Sequence, residues 1–191
     1  MSVAAEKLPV RLSVAEYLEG ELKSEVRHEY FDGQVYAMAG ATRRHNRAAL
    51  YFAIRLEQHL KGGPCTVFMS DMKVRTSFVE KDLFYYPDVV VTCDPADTNR
   101  LYLDRPRFWL EVLSEDVNRD RVEKNLVAQR IESMEEFVLV SPDPGAPEII
   151  ALRRREDWNP EIVRSAEIEL KSMGLTVSVD ELYAELSTVP D

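Results

Sequence analysis

Apolar residues recur along this chain in short blocks of changing period, and each block predicts one element. Near the start, Ser13 and Glu16 have the S-x-x-E spacing of a capping box, and Leu12 with Tyr17 can form the hydrophobic staple beside it, so a short helix begins there. His28-Glu29-Tyr30-Phe31 and Gln34-Val35-Tyr36 read as two strands around Asp32-Gly33, a dipeptide that tolerates the positive φ angles of a tight hairpin. From about Arg44 to Lys61 the period lengthens. His45, Ala49, Phe52, Leu56 and His59 or Leu60 fall at steps of three and four and share one helix face. Thr42 is its predicted N-cap, and Gly62-Gly63-Pro64 ends it. Strands are predicted at Cys65 to Arg75, Phe84 to Thr92 and Arg107 to Leu113, with Cys93 to Pro106 as an irregular connection. A helix comes next, from Glu115 to Ile131, with Ser114 as N-cap and Asp116 suited to the dipole of its first turn. Glu136 to Val140 is a strand, which the Pro-rich stretch 141–147 turns back into Glu148 to Leu152. Ser178 and Glu181 make a second capping box for a short C-terminal helix. This order predicts an α/β domain with a mixed sheet.

Length and composition narrow the class. The 191 residues, 45% of them hydrophobic, suffice for one domain over 1–191 with an ordered core of about 12–186. Lys and Arg number 24 against 34 Asp and Glu, a net charge of −10, which argues against a non-specific nucleic-acid coat but leaves room for a local basic site. The longest apolar run, Ala48 to Ile54, falls far short of the roughly 18 residues of a membrane span. Glu6 and Lys7 interrupt the N-terminus before a signal-peptide core can form, so no membrane association is expected. Cys65 and Cys93 lie in strand-like segments without metal-ligand spacing and are read as reduced and buried, which implies a cytoplasmic location.

The chemically informative feature is a pair of acids inside apolar strands. Asp88 directly precedes Val89-Val90-Val91, and Glu111 is embedded in Phe108-Trp109-Leu110-Glu111-Val112-Leu113, sharing a face with Trp109 and Leu113. A lone buried carboxylate costs several kcal/mol or is driven to its neutral form. Two acids from different strands therefore point to a shared cation or to basic partners, unless each merely ends its strand and meets solvent or an arginine. Lys124, in the next helix, has two readings on residue grounds: an ordinary surface pair with Asp120 four residues earlier, or a site lysine. No G-x-S-x-G elbow, Gly-rich phosphate loop or H-E-x-x-H is present, which removes the common hydrolase alternatives.

The ordered segments RHEYFDGQVYAMAGATRRHN, YYPDVVVTCD, RPRFWLEVLSEDVNRDRVEK and MEEFVLVSPD resemble the Uma-two family of bacterial "putative restriction endonucleases", within the PD-(D/E)XK nuclease superfamily. The likeness runs from about Ser13 to the C-terminal helix. It implies a restriction-endonuclease-like mixed central sheet flanked by helices, a magnesium-dependent site (manganese also serving) acting on DNA, and a homodimer. By position, Asp88 matches the aspartate of the Pro-Asp half-motif and Glu111 the second acid, the two metal ligands together with the main-chain carbonyl of Val112. The superfamily lysine normally lies two residues after that acid. Here Leu113 occupies that place, and the lysine of this family matches Lys124 in the next helix. Glu29 matches the acid of the upstream segment, as a fourth catalytic residue that binds through water or completes a second metal site.

His45 matches the histidine that opens the second helix, either as a core-edge histidine or as a contact to the substrate phosphate. Two departures count against full activity: Glu115-Asp116-Val117 replaces a serine-rich turn, and Ala128 replaces a tyrosine. Three basic clusters (Arg43, Arg44 and Arg47; Arg105 and Arg107; Arg119 and Arg121) are expected to abut the site, and Arg153-Arg154-Arg155 to lie on a solvated face. The competing expectation is a nuclease-like domain without chemistry, serving as a DNA-binding or protein-interaction module.

Overall fold

The N-terminal capping box forms as its spacing predicts: the Ser13 hydroxyl accepts the Glu16 N–H at 3.3 Å, and the Glu16 carboxylate accepts the Ser13 N–H at 2.8 Å. The structure is a computed structural model of the chain and describes residues 11–38, 40–114 and 119–190. The capped helix is α1 (Val14–Glu21). After it comes the hairpin β1 (His28–Phe31) and β2 (Gln34–Ala37), whose turn residues Asp32 and Gly33 both have positive φ. Helix α2 (Arg43–Leu60) starts on Thr42, whose side chain accepts the His45 N–H at 3.2 Å.

Two predicted strands each divide in two. The first becomes β3 (Thr66–Met69) and β4 (Lys73–Phe78), and the second becomes β5 (Lys81–Tyr85) and β6 (Val89–Thr92). In both cases the chain leaves one sheet for another. Ser70 takes a positive φ of 51°, and Pro87 has no N–H to give a ladder. The Ser70 N–H donates to the carbonyls of Pro87 and Asp88, at 3.1 and 3.2 Å, so the two breaks brace one another.

The remaining elements are β7 (Tyr102–Leu103), β8 (Pro106–Val112), a π-helix (Arg119–Lys124), α3 (Asn125–Ala128), β9 (Glu136–Val140), β10 (Ile149–Arg153), β11 (Glu161–Val163), β12 (Glu167–Leu170), β13 (Leu175–Ser178) and α4 (Val179–Ser187). The predicted helix from Glu115 to Ile131 is thus of mixed type and ends at Ala128; its start at Glu115 and Asp116 lies outside the described residues. A six-stranded mixed sheet has the order β11-β10-β9-β8-β6-β3, with β8 and β9 parallel, and a five-stranded sheet has the order β2-β1-β5-β4-β7. Strand alternation gives the six-stranded sheet two apolar faces. Val89, Leu110, Val112 and Val138 pack against α2 and α4, while Val90, Trp109, Phe137 and Leu139 pack against the five-stranded sheet and α3. The mixed sheet flanked by helices is the α/β class that the periodicity predicts.

Two expectations are corrected by strand register. Thr66 pairs with Thr92, which brings Cys65 and Cys93 opposite each other one step further on, and they form a disulfide rather than two reduced thiols. The argument for a cytoplasmic location rested on reduced cysteines and loses its basis. Arg153 pairs across β10 and β9 with Glu136, so it is 3% exposed instead of solvated. Its guanidinium meets Glu136 at 2.6 Å, Glu156 at 3.0 Å, Glu161, and the Glu169 carbonyl at 2.7 Å. A charge so far from water persists only when paired in this way.

Candidate active site

The site lies where β6 begins and β8 ends. In their antiparallel ladder Val89 pairs with Leu110, and one step beyond that pair come Asp88 and Glu111. Asp88 sits at the crossing between sheets and is partly exposed; its Oδ2 accepts the main-chain N–H of Val112 at 2.7 Å. His45, in the first turn of α2, brings Nε2 to 3.3 Å from the same oxygen. The Thr42 cap fixes that turn and therefore where the imidazole is presented.

Glu111 is 2% exposed. Its Oε1 accepts the Trp109 indole N–H at 2.7 Å, and its Oε2 accepts from Lys124 Nζ at 2.9 Å. Lys124 closes the π-helix and is 6% exposed, with Nζ also 3.7 Å from Oε1 of Glu29 on β1, itself 3% exposed. The surface location expected for Lys124 is thereby corrected, since this ammonium is buried between carboxylates of both sheets; the side chain of Asp120 lies outside the described residues. π-Helical turns recur at functional sites, and here one delivers the inward lysine. Beside it, Glu123 accepts from the Tyr85 hydroxyl at 2.7 Å, which ties the same turn to β5.

The structure thus brings together Glu29, Glu111 and Lys124, and places Asp88 with His45 and the Val112 amide. Leu113, which occupies the usual lysine position, packs in the core instead. Ala128 is fully buried in that same core. Sequence reasoning did not assign Trp109 a site role; its signal was the two-residue spacing to Glu111, which puts both on one strand face.

Four of the arginines expected to abut the site have partners elsewhere in the chain. Arg47 pairs with Glu185, and Arg44 donates Nε to the Val189 carbonyl at 3.1 Å. Arg105 pairs with Asp94 at 3.0 Å and Arg107 with Glu135 at 3.1 Å. Both belong to the far end of β8, which at ~3.3 Å per residue puts Arg105 about 20 Å from Glu111. The side chains of Arg119 and Arg121 lie outside the described residues. Among the described residues, no three His, Cys, Asp or Glu side chains are grouped to hold a cation unaided. Among them also, no helix is long and apolar enough to cross a membrane.

Comparison with known proteins agrees with this architecture. An uncharacterized protein of Synechocystis sp. is 34% identical over 182 residues, covering 93% of this chain and 94% of its own length. A second uncharacterized protein of that organism is 28% identical over 144 residues, covering 73% and 78%. The crystal structure of a "putative nuclease belonging to DUF820" from Anabaena variabilis superposes with a TM-score of 0.68 over 88% of this chain and 98% of that one, at 18% identity, and so shares the fold. The family model described as "Putative restriction endonuclease" matches residues 14–182, nearly the whole of the described chain, and the chain therefore belongs to the Uma2 family.

Proposed function

We propose that this chain is a metal-dependent nuclease that hydrolyses phosphodiester bonds of DNA at the Asp88, Glu111, Lys124 and Glu29 site. The observation that carries the reading is the buried Lys124 ammonium, 2.9 Å from Glu111 and 3.7 Å from Glu29, at the end of β8 opposite Asp88, which directly precedes β6. The donors fit a hard cation. They are all oxygens, and magnesium is usually held by one or two carboxylates plus water and phosphate, so a site without three grouped side-chain ligands suits it. Asp88 and Glu111, with the main-chain carbonyl of Val112, would hold magnesium or manganese. Such an ion polarises a phosphoryl oxygen and makes its bound water acidic enough to act near neutral pH.

The chain's own groups do the rest. Lys124 orients the attacking water and stabilises the charge that develops on the phosphoryl oxygens, a role strengthened by its dry surroundings. Glu29, 3.7 Å from Lys124 Nζ, helps to hold the ammonium in place. His45 supports Asp88 and, being on the more open side, contacts the substrate phosphate. A homodimer would supply two such sites for the two strands of a duplex.

The test is cleavage of single-stranded, duplex and branched DNA with magnesium or manganese. Wild type should cut, and Asp88→Asn, Glu111→Gln and Lys124→Met should each lose about a hundred- to thousand-fold in rate. A specific observation favours a second reading: Arg44, Arg47, Arg105 and Arg107 are engaged within the chain instead of lining the site. Metal binding by wild type without cleavage of any of these substrates would favour the inactive binding module.

A further inference from the structure

The indole of Trp109 is fully buried and wedged between Tyr85 and Phe137, with ring centroids 6.0 and 5.9 Å away. These contacts leave its ring little freedom and fix the direction of its N–H. An indole nitrogen is a donor only, and when buried it usually finds an acceptor. Here the acceptor is Oε1 of Glu111, at 2.7 Å. A phenylalanine would fill much of the same space but would lack that donor.

We propose that Trp109 is a positioning residue for Glu111: it holds Oε1 so that Oε2 faces Lys124, and thereby sets the carboxylate's orientation before any cation or substrate arrives. The terminal torsion of a glutamate is broad and two-fold, so an untethered carboxylate would turn. With Oε1 tethered, the 2.9 Å contact of Oε2 to Lys124 is selected from those orientations. The inference rests on the nuclease reading and extends it to a residue that touches neither substrate nor metal. Partners that orient a metal ligand in this way typically matter by roughly ten- to hundred-fold in metal affinity or activity.

The test uses the full chain with Trp109→Phe. Magnesium alone is titrated by calorimetry, and cleavage is measured with magnesium present. Magnesium affinity and kcat should each fall by roughly ten-fold or more, with KM for DNA unchanged. A purely structural role would lower the melting temperature and leave the magnesium Kd unchanged well below it. A second measurement leaves Trp109 itself in place. The chain has two tryptophans, so Trp158→Phe leaves Trp109 as the sole indole. Its N–H proton resonance should shift saturably with added magnesium, at the midpoint found by calorimetry, and Asp88→Asn should abolish the shift.

Should Trp109→Phe fail to fold, the resonance alone decides. A folded Trp109→Phe with unchanged magnesium Kd and kcat, or an indole resonance that ignores saturating magnesium, would overturn the positioning role and leave the nuclease reading intact. A wild type that neither binds magnesium nor cuts DNA would overturn both.

Discussion

At Lys124 Nζ two carboxylates lie 2.9 and 3.7 Å away, and all three side chains are nearly inaccessible to water. Burying such groups costs free energy, so the charges depend on one another and removal of one leaves the rest uncompensated. Lys124→Met should therefore lower stability by about 3–5 kcal/mol in urea unfolding as well as abolish cleavage. The double variant Lys124→Met/Glu111→Gln should regain much of that stability, because one stranded charge is gone, and remain inactive. Equal stability of the single variant and wild type would show that the ammonium is not paired as described. Asp88 and Glu111 were legible in the sequence because one acid directly precedes a β-branched run and the other is embedded in an apolar strand, where carboxylates are out of place. Lys124 was legible only through the family resemblance; on residue grounds the nearby Asp120 competed for it. Trp109 was visible as a neighbour on the strand, but its hydrogen bond depends on a rotamer set by Tyr85 and Phe137.

Among the elements, α4 docks on the strand turn between β9 and β10 through Tyr183. Its hydroxyl lies 2.9 Å from the Ser141 carbonyl and from both the carbonyl and the N–H of Glu148. Burial, and after it the nearby Glu148 charge, pushes this phenol up from 10.0 to about 12 despite hydrogen bonds that oppose the shift. The folded state thus favours the neutral phenol. Its contribution to stability is complete below the ordinary value and is lost as pH rises from about 10 towards 12. Tyr17 and Tyr86, buried likewise, are raised further and titrate later. Tyr183→Phe should flatten the decline in thermal stability across this window, relative to wild type; an unchanged slope would remove Tyr183 as its source. The capped ends of α1, α2 and α4 were legible because capping is local. Strands β11, β12 and β13 were not read, since they are short and their pairing partners, not their own pattern, define them.

Across the whole molecule, the Cys65–Cys93 disulfide joins residues 28 apart and closes the loop that carries β4, β5 and the Asp88 crossing. Closing a loop of this length restricts the unfolded chain by about 3–4 kcal/mol in the chain-entropy account. Reduction, or Cys65→Ser with Cys93→Ser, should lower unfolding stability by about that amount while the fold persists, because β3 and β6 keep their own ladder. Identical unfolding midpoints with and without reductant would contradict this. The disulfide also braces the strand whose first residue comes directly after Asp88, which connects a remote covalent link to the site.

Local chemistry was determined by the sequence alone: helix starts from caps, the Asp-Gly hairpin, the α/β order, and two acids that an apolar strand would not otherwise carry. These depend on neighbours within a few residues, and their physics acts at that range. Tertiary structure decided what depends on register and on chain crossings. It split two predicted strands at Ser70 and Pro87, paired Cys65 with Cys93, buried Arg153 against Glu136, and drew arginines expected at the site into contacts elsewhere. It also turned Lys124 inward between Glu29 and Glu111, residues 82 positions apart that belong to different sheets. A one-step change in strand register moves a side chain to the opposite face, so such pairings are settled only once the sheets assemble.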